Sequence, residues 1–142
     1  MSHYTGYYGK IIVREEFYGI IENRLDLTGT TDPVFMLYKN LEDKDRFDKR
    51  FGNLIWEKWK FDKESGSWEF RVEYNESYQG YPHFNLRDYF IPYISKEIID
   101  VFSFDEFDPP DKPISLTLNL RRQTEHREET IRKICEELNT FV

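Results

Sequence analysis

Residues 54–74, LIWEKWKFDKESGSWEFRVEY, decide the fold. Trp68, Phe70, Val72 and Tyr74 alternate strictly with Glu69, Arg71 and Glu73. Successive side chains of a strand point to opposite faces, so the spacing predicts a half-buried antiparallel strand over Ser67 to Tyr74. Leu54 to Phe61 reads as its partner, and Asp62-Lys63-Glu64-Ser65-Gly66 has the residue types of a hairpin turn. A strict period of two in the first strand puts Leu54 and Trp56 on one face and Ile55, Trp59 and Phe61 on the other. Two apolar faces imply a central buried strand or an interface with another chain.

Upstream, Tyr7 to Glu15 alternates as a strand: Tyr7, Gly9, Ile11 and Val13 share one face and Tyr8, Lys10, Ile12 and Arg14 the other. The preferred reading of Gly9 is a bulge or close packing under an aromatic ring. Phe17, Ile20, Ile21 and Leu25 fall at helical spacing and predict a short helix over residues 16–26, although Gly19 leaves a hairpin strand as the alternative. Asp32-Pro33 starts a further helix, with Asp32 as cap, that ends at Gly52-Asn53.

Downstream, Asn85 caps a helix with Leu86, Tyr89, Phe90, Tyr93 and Ile94 on its apolar face and Pro92 bending or ending it. Glu97 to Phe104 is a strand. Ile114, Leu116, Leu118 and Leu120 alternate with Ser115, Thr117 and Asn119 as another. The last helix runs from Thr124, its expected N-cap, to Thr140, with Ile131, Ile134, Cys135 and Leu138 as its apolar stripe. Strands in hairpins with helices in blocks predict one α+β domain over residues 1–142. Its antiparallel sheet has about five strands, with helices packed on one face and a C-terminal amphipathic helix.

Composition bounds the function. The chain has 142 residues and 18 % aromatics, too many for a disordered segment despite a mean hydropathy of -0.75. Its 27 acids against 20 bases give a net charge of -7. That disfavours direct contact with nucleic acid, which needs clustered Lys and Arg, and favours a basic partner. No apolar run approaches the roughly 20 residues that span a bilayer. Met1 to Lys10 lacks the pattern of a signal peptide, and Cys135 is the only cysteine. A cytoplasmic protein without membrane attachment is expected.

Side-chain chemistry finds little support. His3, His83 and His126 are scattered and give no metal-ligand spacing with the single cysteine. His3-Tyr4-Thr5 and His83-Phe84-Asn85 fall short of the paired His-x-Thr/Ser of two-histidine phosphoesterases, since the second ends in Asn85. Cys135 lies on an apolar helix stripe and reads as a small hydrophobe. Gly6 and Gly9 lie in a strand, so they make no dinucleotide fingerprint. Acid pairs such as Glu15-Glu16 and Glu136-Glu137 read as solvated element ends. No metal, cofactor or enzyme activity is expected.

Two segments read as recognition surface. Residues 74–84 carry the Tyr, Ser, Gly and Asn mix of binding loops, with Tyr78, Tyr81 and His83 as candidates. Residues 104–111 hold four acids and two aromatics, and Phe104, Asp105, Glu106, Phe107 and Asp108 suit a basic partner. The function expected is therefore a small acidic interaction module, an inhibitor or immunity-type protein that occludes a basic toxin or nuclease, of bacterial or phage origin. One alternative is a small-molecule binder or enzyme with a cleft between sheet and helices, lined by Trp56, Trp59, Trp68 and Tyr74. Another is a homo-oligomeric accessory protein, with a homodimer formed through a sheet face.

Overall fold

In the computed structural model, residues 4–24, 32, 55–75, 90–105 and 113–139 are described. They form an α+β structure around a five-stranded antiparallel sheet. The elements are β1 (Tyr4–Val13), a 3-10 turn (Glu15–Phe17), α1 (Tyr18–Glu22), β2 (Ile55–Asp62), β3 (Ser67–Asn75), α2 (Ile91–Ile94), β4 (Ser95–Asp105), β5 (Ile114–Ser115), α3 (Thr117–Glu125) and α4 (Arg127–Asn139). The strand order is β2-β3-β1-β4-β5, which puts β1 at the centre.

The hairpin stands as its alternation predicts. Trp68, Phe70 and Val72 are buried, while Glu69, Arg71 and Glu73 lie on the opposite face of β3. Asp62 organises the turn: its carboxylate accepts the Glu64 N–H at 3.1 Å and the Ser65 hydroxyl at 2.9 Å. Gly66 closes the turn at φ +78°, where a side chain is strained, and its N–H donates to the Asp62 carbonyl. The β2 strand departs from strict alternation. Trp56 faces Val72, but Lys58 already faces Arg71, so Glu57 is an extra residue in a β-bulge. The bulge shifts the phase and brings Trp56, Trp59 and Phe61 to one face, against the core. Lys58 and Lys60 take the other. The three aromatics expected on two faces of this strand therefore share one, while Ile55 stands opposite Glu73, and β2 is an edge strand of the described sheet.

The core lies on one side of the sheet. Strand residues Ile11, Val13, Trp68, Phe70, Ile98 and Val101 meet Phe17 and Ile21, Ile91 and Ile94, and Leu116 and Leu120 from the turn and helices. Phe17, Ile20 and Ile21 are buried as their spacing predicts, in a 3-10 turn running into a short α-helix. Pro92 sits in the first turn of α2, where its missing N–H is harmless. Tyr93 of α2 is buried, and its hydroxyl donates to both carboxylate oxygens of Asp32, at 2.9 and 2.7 Å. Burial, and then the Asp32 carboxylate, hold this phenol above its ordinary range. The helices expected from Pro33 to Gly52 and from Asn85 to Tyr89 lie outside the described residues.

The last of the expected strands is mostly a helix. Only Ile114 and Ser115 pair with β4, opposite Ser103 and Phe102. The Leu116 N–H then donates to the Val101 carbonyl, and the Thr117 hydroxyl accepts the Val101 N–H at 3.0 Å. Beyond that point β4 offers no straight edge. Its register slips so that Ile99 is an extra residue between the partners of Lys10 and Ile11. The carbonyls of Ile98 and Ile99 are taken by Arg121 of α3, at 3.0 and 3.1 Å. Leu116, just before α3, and Leu120 within it, four apart, reach the core, whereas Leu118 is 60 % exposed. Alternation at i and i+2 contains the helical spacing i, i+4, which is why the pattern suits both structures.

Thr124 is not an N-cap. It lies within α3 and its hydroxyl donates back to the Leu120 carbonyl at 2.8 Å. The C-terminal helix is broken at His126, whose N–H reaches the carbonyls of Arg122 and Gln123, and which is exposed between α3 and α4. In α4, Ile131 and Cys135 pack against the core. The opposite face carries Arg132 between Glu129 and Glu136, ion pairs typical of an exposed helix face. No helix of the described residues is long and apolar enough to cross a membrane.

Candidate functional site

The outer face of the sheet, away from the core, carries the candidate site. β1 supplies Tyr8, β3 supplies Arg71, and β4 supplies Phe102 and Phe104. Register brings them together: Tyr8 lies opposite both Arg71 and Phe102, and Gly6 opposite Phe104. The Tyr8 ring stacks on Phe102 at 5.3 Å between centroids and 20° between planes. It lies 6.2 Å from the Phe104 ring. The Arg71 guanidinium sits 4.3 Å from the centre of the Phe104 ring and 5.5 Å from that of Tyr8. A cation over a ring face is attracted by the ring quadrupole. All four side chains are half-buried.

Two glycines of β1 make close contacts. The Phe104 ring crosses Gly6, where a Cβ would collide with that ring and with the Val72 carbonyl. Gly9 answers a different need: a Cβ there would meet the backbone of Asp100 and Val101. The aromatic ring therefore overlies Gly6 and not Gly9, and the bulge falls on β4. Gly6→Ala is expected to destabilise the chain by about 1–3 kcal/mol, the usual cost of overpacking. A chemical denaturation midpoint equal to that of the parent would show that the backbone yields instead.

Charges frame the aromatics in rows across the strands. The Glu57 carboxylate accepts a hydrogen bond from Arg71 Nε at 2.6 Å, and this bond holds the Glu57 carboxyl below its ordinary range. The bulge that realigns the tryptophans thus also places Glu57 beside Arg71. In the next row Glu69 lies 2.7 Å from Lys58 and 3.9 Å from Lys10. The Lys58 hydrogen bond lowers the Glu69 pKa. These are exposed pairs, screened by solvent and salt, and they add little to stability. Their role is to orient Arg71 and to keep the β2 edge charged, which discourages pairing with another chain.

Of the residues singled out in the sequence, Phe104 stands in this cluster. Asp105 ends β4, opposite Thr5. Tyr78, Tyr81, His83, Glu106, Phe107 and Asp108 lie outside the described residues, as do His3 and the stretch Glu106 to Lys112. Tyr8, Arg71 and Phe102 carry no such signal in the sequence. Their faces are legible from alternation, but their adjacency comes from register alone. Trp56, Trp59 and Trp68, offered as lining for a cleft, contact one another on the core side: Trp59 lies 4.6 Å from Trp56 and 4.8 Å from Trp68 between ring centroids. The Trp59 indole N–H donates to the Ile21 carbonyl at 3.1 Å. Compared with known proteins, the chain matches no family model, no curated protein and no solved structure.

Proposed function

We propose that this chain is a small acidic interaction protein that masks a basic partner, as an immunity protein or inhibitor masks a toxin or nuclease. The observation that carries the reading is the position of Phe104. Its ring is displayed on the outer face at the end of β4, and the chain runs from it directly into Asp105-Glu106-Phe107-Asp108. An aromatic anchor beside acids suits a basic surface: the ring gives buried contact and the acids steer the encounter. The net charge of -7 acts in the same direction at longer range. No catalytic step is part of this proposal, and the mechanism is steric and electrostatic occlusion.

The test is association kinetics with a basic protein that co-purifies with the tagged chain. Charge reversal at Asp105, Glu106 and Asp108 together should slow association by about tenfold or more at low ionic strength, and the gap should narrow as salt screens the field. Phe104→Ala should instead speed dissociation, as loss of an anchor does. If the triple variant associates at the parental rate at every salt concentration, the acidic segment is not the binding surface.

A further inference from the structure

Arg14, just after β1, and Arg127, the first residue of α4, converge on one short stretch of backbone where α2 meets β4. Arg14 Nε donates to the Ser95 carbonyl and Arg127 Nε to the Tyr93 carbonyl, each at 3.2 Å. The Arg14 backbone N–H donates to the carbonyl between them, that of Ile94, at 2.8 Å. Both guanidiniums are thus fixed by Nε, and their Nη groups remain as donors, those of Arg127 shared with Glu16. Arg127 also rests on the Tyr93 ring, 5.0 Å from its centre. Its Nη2 lies 3.6 Å from Glu16. Among the described residues no carboxylate stands within ion-pair distance of Arg14.

The two cations feel each other. Partial burial, and then the charge of Arg127, lower the Arg14 pKa, with Glu16 opposing them. Glu16 is a weak counterion, since its side chain is 56 % exposed and among the described residues it stands within ion-pair distance of Arg127 but not of Arg14. Asp32, the other acid of the cluster, is engaged through both oxygens by the Tyr93 hydroxyl. Two half-buried guanidiniums, each anchored through Nε, match an anion whose oxygens accept from the Nη donors of both.

We propose that Arg14 and Arg127 form an oxyanion site that takes a phosphate or carboxylate group of a ligand through their Nη donors, in competition with Glu16 at Arg127. The site is separate from the outer-face cluster: it lies at the start of β4, whereas Phe104 lies near the end of that strand. It therefore stands or falls independently of the masking function.

The test is titration of the full chain with inorganic phosphate and, in a second arm, with succinate, at ionic strength held constant with sodium chloride. The readout is the arginine Nε–Hε resonances in nitrogen-15 spectra. Saturable shifts at Arg14 and Arg127 are expected in at least one arm. Saturation by phosphate alone identifies a phosphate-bearing ligand, by succinate alone a carboxylate, and by both a general oxyanion site. Glu16→Gln should tighten binding roughly two- to fivefold, the worth of an exposed ion pair. Arg14→Gln should abolish saturation, and Arg127→Lys should weaken it by removing the fork while keeping the charge. The proposal is overturned if sodium chloride alone reproduces the shifts, if folded Arg14→Gln binds like the parent, or if Glu16→Gln leaves the affinity unchanged.

Discussion

Trp68→Ala should cost about 3–5 kcal/mol, the range for truncating a buried tryptophan or phenylalanine, and so remove much of the roughly 5–15 kcal/mol that holds a domain of this size together. Trp68 is fully buried. Its ring touches four others: Trp56 at 5.7 Å, Trp59 at 4.8 Å, Phe70 at 4.6 Å and Phe90 at 6.4 Å between centroids. It therefore joins the edge strand β2, its own strand and the α2 segment in a single contact set. Truncation leaves a cavity lined by rings too large to collapse into it. Urea denaturation followed by tryptophan fluorescence measures the loss. Trp68→Phe serves as the companion. The Trp68 indole N–H is buried with no acceptor among the described residues, so phenylalanine sacrifices volume but no hydrogen bond there. It should recover more than half of the stability that alanine loses. An alanine variant within about 1 kcal/mol of the parent would mean that this ring does not anchor the core.

The hairpin was legible because pattern and turn agree at every position. Trp68, Phe70 and Val72 alternate with charged residues, and Asp62 and Gly66 are the residues this turn requires. The bulge at Glu57 was not legible. One extra residue in a strand leaves no mark in composition, yet it reverses the face of everything before it. The sequence offered two apolar faces for β2, and with them an argument for self-association. The bulge moves Trp56 to the face of Trp59 and Phe61, while Ile55 stays opposite Glu73. The candidate site divides in the same way. Phe104 is visible in one dimension because it borders an acidic segment. Tyr8, Arg71 and Phe102 are ordinary members of three strands, and only the antiparallel register sets them beside it. The paired arginines are further out of reach. Arg14 and Arg127 meet through carbonyls of Tyr93 and Ser95, contacts that depend on the backbone path and not on residue type. Recurrence in sequence reveals faces, whereas sites need the neighbours of faces.

The stretch from Leu116 to Leu120 allows the sharpest separation between strand and helix. In a strand, Leu116, Leu118 and Leu120 share one face, so truncating any of them would empty the same core. In α3 and its cap the face is set by the 3.6-residue turn, which carries the cap residue Leu116 and Leu120 inward, 9 % and 1 % exposed, and leaves Leu118 60 % exposed. Leu120→Ala is expected to cost about 2–5 kcal/mol, as for other fully buried leucines. Leu118→Ala should stay within about 0.5 kcal/mol of the parent, and its good helix propensity adds to that tolerance. The comparison controls for residue type and for position along the chain, because the two leucines are separated by Asn119 alone. Equal losses at both positions would restore the strand. Arg121 supplies the reason the helix prevails: it binds the Ile98 and Ile99 carbonyls that β5 would need in order to grow. A longer β5 would have to break those bonds and pair across the bulge at Ile99, where the ladder is already interrupted. The helix meets neither cost, and it delivers Leu120 to the core while Thr117 satisfies the Val101 N–H at the point where pairing stops.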